Sequence, residues 1–153
     1  TTRQARNCKI VKLKNKLYSV EKKIKIEFYD VDSMKIVYHG NYVKFLEVGR
    51  CALLDKIGYN YNEMEKDGYS FPITKLNVKY IRSLVFGETA IVKTSVVEYE
   101  NMLKLQYEIF KEDGTLATTA ETCQMAIRMK DMETMFVCPE RMIKKFRSAI
   151  GGN

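Results

Sequence analysis

The stretch that decides the fold is Tyr29-Asp30-Val31-Asp32-Ser33-Met34-Lys35-Ile36-Val37-Tyr38-His39-Gly40-Asn41-Tyr42. It holds two acids one residue apart and the single histidine of the chain, and it leads straight into an apolar, helix-like segment. Ahead of it, Ile24, Ile26 and Phe28 alternate with Lys25 and Glu27, which is the period of a strand with one buried face. Behind it, over residues 42–57, Tyr42, Phe45, Leu46, Gly49, Ala52, Leu53 and Ile57 share one broad apolar stripe of a helix. Lys44, Glu47, Cys51 and Asp55 lie on or near the opposite side, Asn41 is the candidate N-cap, and Gly58 suits the C-terminal stop. The stretch therefore joins a strand exit to the N-terminus of a helix whose stripe is wide enough to press on a large sheet.

Working outward, a second short helix is expected after Asn60, with Glu63 at the capping-box position and an end near Gly68. The remainder reads as strands over 70–82, 88–99, 102–111 and 115–129, with Asp113-Gly114 a strong hairpin signal between the last two. A final amphipathic helix begins at Pro139 and carries Met142, Ile143 and Phe146. A strand, two helices, a run of hairpins and a terminal helix make an α+β fold, in which an antiparallel sheet curled around one central helix satisfies both apolar faces. Such a sheet has edges, which a second subunit can cover.

The 153 residues suit one domain with a sizeable core. Eight of the 26 basic residues but one of the 19 acids fall in residues 1–23, leaving 18 of each in the rest. The net charge of +7 is thus a basic tail on a balanced domain, which argues against a nucleic-acid-binding domain. The expected division is residues 1–21 as a basic tail or extra strand and 22–150 as the single domain. No apolar run is long enough to span a bilayer. The cysteines, Cys8, Cys51, Cys123 and Cys138, match no zinc spacing, and with no secretory signal they read as free thiols in a cytoplasmic protein.

Asp30 and Asp32 lie two apart at a strand exit and so share a face. A metal site would want more oxygen ligands than the neighbourhood offers, and none is expected. His39 stands just before a helix N-terminus, where free N–H groups and the helix dipole favour a developing oxyanion. A carboxylate from the preceding loop can activate water or attack a carbonyl. The constellation suits acyl chemistry without a serine nucleophile.

The segment resembles the hotdog-fold acyl-CoA thioesterases, specifically the 4-hydroxybenzoyl-CoA thioesterase-like group that includes the bacterial Tol–Pal-associated thioesterases. Their pattern, roughly D-x-D-x-x-x-[VI]-V-[YW]-[HY]-x-x-Y, stands here as Asp30, Asp32, Ile36, Val37, Tyr38, His39 and Tyr42, followed by Phe45-Leu46-Glu47-Val48-Gly49-Arg50 in the helix. Phe71-Pro72-Ile73 and the run through Lys75, Val78 and Tyr80 are similar to the family's second strand. The resemblance spans about residues 22–146 and implies the hotdog fold and hydrolysis of an acyl-CoA to a free acid and CoA, without cofactor.

By resemblance Asp32 is the catalytic carboxylate, as nucleophile or general base, and the backbone N–H at His39 polarises the thioester carbonyl, with the His39 side chain available to orient water or the acid. Asp30 is assigned to structure and Tyr38 to packing near the thioester. Lys75, Lys79 and Arg82 are the candidate cations for the CoA phosphates, since the arginine-rich turn of some relatives has no match at Glu100-Asn101. Relatives often carry small residues or glycine where this chain has Ser33-Met34-Lys35. A homodimer or homotetramer with its acyl pocket between subunits is implied, in lipid metabolism. An acyl-ACP thioesterase and a non-catalytic acyl-CoA sensor are the alternatives.

Overall fold

The computed structural model describes residues 16–152. Strand β1 (Tyr18–Lys25) leads through a single 3-10 turn (Phe28–Asp30) and a tight loop to helix α1 (Asn41–Ile57), then α2 (Tyr61–Lys66). Next come β2 (Tyr69–Ser70), β3 (Ile73–Tyr80), β4 (Thr89–Glu98), β5 (Leu103–Phe110), β6 (Leu116–Gln124), β7 (Ile127–Arg128), β8 (Glu133–Thr134) and helix α3 (Glu140–Ile150). Five strands form one antiparallel sheet in the order β1-β4-β5-β6-β3, and β2-β7-β8 form a second, small sheet. β4, β5 and β6 are successive hairpins, whereas the passage through α1 and α2 carries the chain from one edge to the other, where β3 pairs with β6.

The central helix lies across the sheet, mainly over β1 and β4. Phe45, Leu46, Leu53, Leu54 and Ile57 are buried from its side, and Val92, Val96, Leu103, Leu105 and Ile109 from the sheet's. Gly49 is the point of closest approach. A Cβ there would overlap Thr94 Oγ1 and stand 2.7 Å from Val92 Cγ1. The α+β hotdog architecture expected from the sequence is the one observed.

Several boundaries behave as read. Gly58 ends α1 in the left-handed region at φ 82°. Asn60 Oδ1 accepts the Glu63 N–H at 3.1 Å, capping α2. Gly114 turns the β5–β6 hairpin at φ 89°, beside an Asp113 Oδ1 that accepts the Thr115 N–H at 2.9 Å. Pro139 immediately precedes α3, whose Met142 and Phe146 are buried.

Others differ for physical reasons. β1 begins at Tyr18, opposite Val96, so the strand runs through the boundary expected at residue 22, and the rest of the basic tail, with Cys8, lies outside the described residues. The alternation does not carry on to Phe28, which is 72% exposed, because the Asp30 carboxylate draws the backbone into a turn. Gly40, not Asn41, holds the N-cap position; the Asn41 side chain donates instead to the Asp30 carbonyl at 2.8 Å. The strand expected over 70–82 is split at Pro72, which has no N–H for a ladder. That expected over 115–129 breaks after Gln124, whose Nε2 donates to the Phe71 carbonyl at 2.7 Å and holds the two interruptions together.

Arg50 is a further departure. It lies next to the apolar stripe and is buried, with Nε donating to Tyr61 Oη at 2.7 Å and Nη1 to Tyr107 Oη at 3.3 Å. Tyr107 Oη is in turn bonded to Thr122 Oγ1 at 2.7 Å, so the guanidinium is held by phenols instead of a buried carboxylate. Cys51, Cys123 and Cys138 are free thiols, and burial pushes Cys138 up to about 12.

Candidate active site

The loop after the 3-10 turn is a miniature hairpin. Val31 bridges Val37, and Asp32 N–H donates to the Ile36 carbonyl at 2.9 Å while Lys35 N–H returns to the Asp32 carbonyl at 2.9 Å. Closing so short a turn places Lys35 at φ 62°, in the left-handed region. That backbone state suits glycine better than a residue with a side chain. The hairpin is clamped from outside where Ile36 bridges Val85 and Phe86 N–H donates to the Lys35 carbonyl at 3.0 Å.

The Val85–Glu88 turn behind it is organised by the buried Glu88 carboxylate. It accepts Val85 N–H at 2.7 Å, Lys111 Nζ at 2.8 Å and Glu112 N–H at 3.2 Å. Burial works to raise the affinity of Glu88 for a proton, but these donors prevail and hold it below its ordinary range.

The two acids have unequal surroundings. Asp30 is 3% exposed; its Oδ2 accepts Glu27 N–H at 2.9 Å, and its carbonyl receives Tyr38 N–H at 3.1 Å as well as the Asn41 side chain. It stitches the strand exit to the start of α1. Asp32 is exposed, and its Oδ1 accepts Met34 N–H at 2.8 Å in an Asx turn. Among the described residues Oδ2 has no hydrogen-bond partner, which leaves one carboxylate oxygen open to solvent or substrate. No group of three or more candidate metal-ligating side chains gathers among the described residues.

At the start of α1 the N–H groups of His39 and Gly40 meet no acceptor among the described residues. The His39 ring is exposed and, among the described residues, makes no hydrogen bond. It lies 4.3 Å from that of Tyr38 and 6.5 Å, edge-on, from that of Tyr80. Tyr38 is half-exposed and covers Gly40; a Cβ on Gly40 would sit 2.7 Å from Tyr38 Cε1.

Tyr80 was legible only as a strand residue, yet its hydroxyl donates to the His39 carbonyl at 2.8 Å and its ring packs edge-on against buried Tyr42 at 5.0 Å. Tyr42 Oη in turn accepts Leu84 N–H at 3.3 Å. Strand alternation gives Tyr80 the same signal as Val78, a core residue, and nothing in the sequence marks its hydroxyl.

The candidate cations Lys75, Lys79 and Arg82 lie on or just after β3. Lys75 stands opposite Cys123, and Lys79 lines a concavity on the outer face of the sheet with Asn77, Gln106 and Glu108, the side opposite Tyr80 and α1. Arg82 follows β3 with its N–H on the Ala117 carbonyl at 2.9 Å. Two further cations are Lys35 within the acid loop and Lys44 in α1, whose Nζ is 3.6 Å from Asp30 Oδ1 and 5.6 Å from the centre of the Tyr29 ring.

The profile of the thioesterase-like superfamily matches residues 26–146, from the end of β1 to the buried face of α3. The chain belongs to that family. Among thioesterase-like relatives, the proposed acyl-CoA thioesterase YneP of Bacillus subtilis is 35% identical over 108 residues, 70% of this chain and 78% of YneP. The structure of a DHNA-CoA thioesterase from Staphylococcus aureus is 34% identical, with a TM-score of 0.76, covering 87% of this chain and 89% of that one. An aspartate-to-asparagine mutant of 4-hydroxybenzoyl-CoA thioesterase, complexed with 4-hydroxybenzoyl-CoA, is 17% identical and shares the fold at a TM-score of 0.73 over 83% of this chain and 97% of that one.

Proposed function

We propose that this thioesterase-family chain hydrolyses an acyl-CoA thioester to the free acid and CoA, with Asp32 as the reacting carboxylate and the N-terminus of α1 as the oxyanion site. The observation that carries the reading is the pairing of an exposed carboxylate, one oxygen fixed and the other open, with unengaged N–H groups at His39 and Gly40 in the same loop-to-helix unit. Relatives named for CoA thioester substrates at 34% and 35% identity support the activity.

In the hydrolytic step Asp32 removes a proton from water as its oxygen adds to the thioester carbon. The carbonyl oxygen becomes an oxyanion held by backbone N–H donors, and its collapse breaks the C–S bond to release CoA thiolate. Direct attack by Asp32 gives an aspartyl tetrahedral oxyanion at the same site, whose collapse breaks the C–S bond, releases CoA thiolate and leaves a mixed anhydride that water then cleaves. Tyr38, lying over Gly40, is placed to flank the thioester. We assign Lys35 and Lys44 to the CoA phosphates in preference to Lys75, Lys79 and Arg82, because Lys35 lies in the Asp32 loop and Lys44 reaches Asp30.

We infer that a second copy completes the site along β3. Among the described residues the strand is an edge, pairing only with β6, and Ile73, Leu76 and Tyr80 are 42%, 44% and 48% exposed. The opposite edge, β1, is guarded by Lys22, Lys23 and Lys25. No described helix is long and apolar enough to cross a membrane, and the free thiols support a reducing, cytoplasmic setting.

The test is a panel of short-chain, long-chain and aromatic acyl-CoAs with a thiol-trapping dye. Turnover on at least one class is expected. Tight acyl-CoA binding with no turnover on any would make the protein a sensor.

A further inference from the structure

We propose that Tyr80 is a positioning residue for the reaction, acting through the peptide group that joins His39 to Gly40; the proposal rests on the thioesterase reading above. The His39 carbonyl, which accepts the Tyr80 hydroxyl at 2.8 Å, belongs to the same planar, conjugated unit as the Gly40 N–H. A donor on the carbonyl draws electron density toward oxygen and leaves the amide hydrogen more positive. Coupled hydrogen bonds strengthen one another in this way by roughly 10–30%. The N–H so polarised is one of the two that meet no acceptor among the described residues. Tyr42 N–H also reaches the His39 carbonyl, but at 3.4 Å, so the Tyr80 hydroxyl is the stronger donor.

The surroundings fix this hydroxyl for the task. The Tyr80 ring is held edge-on by Tyr42 at 5.0 Å, and Tyr42 is buried with its own hydroxyl on Leu84 N–H. On the other side of the peptide Tyr38 lies so close to Gly40 that any side chain there would displace it. The peptide thus carries the Tyr80 hydroxyl on its carbonyl and has Tyr38 close to Gly40, while Tyr42 backs the Tyr80 ring. Tyr80 does not touch the reacting atoms in this scheme. It aims and strengthens a donor that does, and it does so from the edge strand on which a second copy is inferred to pack.

The experiment compares the full-length protein with Tyr80→Phe, using the acyl-CoA that the unmodified protein turns over fastest. The expected result is a kcat lower by about threefold to eightfold, less than direct loss of an oxyanion donor costs, with KM changed by less than about twofold. The Gly40 amide 15N resonance should move upfield as its peptide loses polarisation. A kcat within about twofold of the unmodified protein, a loss confined to KM, or an unmoved Gly40 resonance would each overturn the proposal. Should Tyr80→Phe not fold, 3-fluorotyrosine at position 80 keeps the packing and donates more strongly while its phenol is protonated. A raised kcat is then expected, and an unchanged one would overturn the idea. Absence of turnover by the unmodified protein would defeat the thioesterase reading, and this proposal with it. Normal turnover by both proteins would defeat the Tyr80 proposal alone.

Discussion

Lys35 and Met132 are the described non-glycine residues held at positive φ, and Lys35 is the one in the acid loop. A φ of 62° puts a Cβ-bearing residue in a region that costs roughly 1–2 kcal/mol for L-amino acids. Lys35→Gly removes that cost and returns part of it through the greater freedom of glycine in the unfolded chain. We predict a net gain of about 0.5–1 kcal/mol, read as a higher urea midpoint at unchanged m-value. A lower midpoint would mean that the lysine side chain contributes more than its backbone conformation costs. At this scale the sequence was informative where chemistry is local. The resemblance gives Asp30 and Asp32 different roles, and the structure gives them different surroundings, Asp30 buried and Asp32 exposed. Tyr80 and Arg50 were not legible, because the role of each depends on a partner hydroxyl or carbonyl that is distant in sequence.

Among the elements, α1 sets the positions of the rest, and Gly49 sets how closely it approaches the sheet. Gly49→Ala drives a methyl group into Thr94 Oγ1 and Val92 Cγ1, both on a central strand that has little room to yield. The expected cost is about 1–3 kcal/mol, the range of an overpacked core, measured by thermal or urea unfolding; an unchanged midpoint would show that the helix can lift without loss. The apolar stripe, both glycine stops and the β5–β6 hairpin were readable because each rests on a strong period or a turn residue. The β2-β7-β8 sheet was not, since strands of two residues have no period to detect and are held by pairings between segments far apart in the chain. The split between β2 and β3 was signalled by Pro72 and could have been read from it.

For the molecule as a whole, the asymmetry of the two sheet edges carries the expectation of self-association. Sedimentation equilibrium at micromolar concentration should give at least twice the 17.8 kDa of one chain. Leu76→Asp, which places a charge on the apolar edge, should lower the assembly toward one chain and reduce turnover with it. A monomer that remains fully active would contradict the shared site. The fold class was legible at this scale from element order and motif together, whereas the edge that stays open depends on strand order in space, which periodicity does not encode.

The most direct test of the account is acyl-CoA turnover by Asp32→Asn. Asparagine retains the Oδ1 that accepts Met34 N–H, so the Asx turn and the hairpin around it are kept while the charge and basicity of the open oxygen are lost. The account predicts a melting temperature within about 2 °C of the unmodified protein and a kcat lower by a factor on the order of 100 or more, the scale of a lost general base or nucleophile. Turnover within about twofold of the unmodified protein would contradict it.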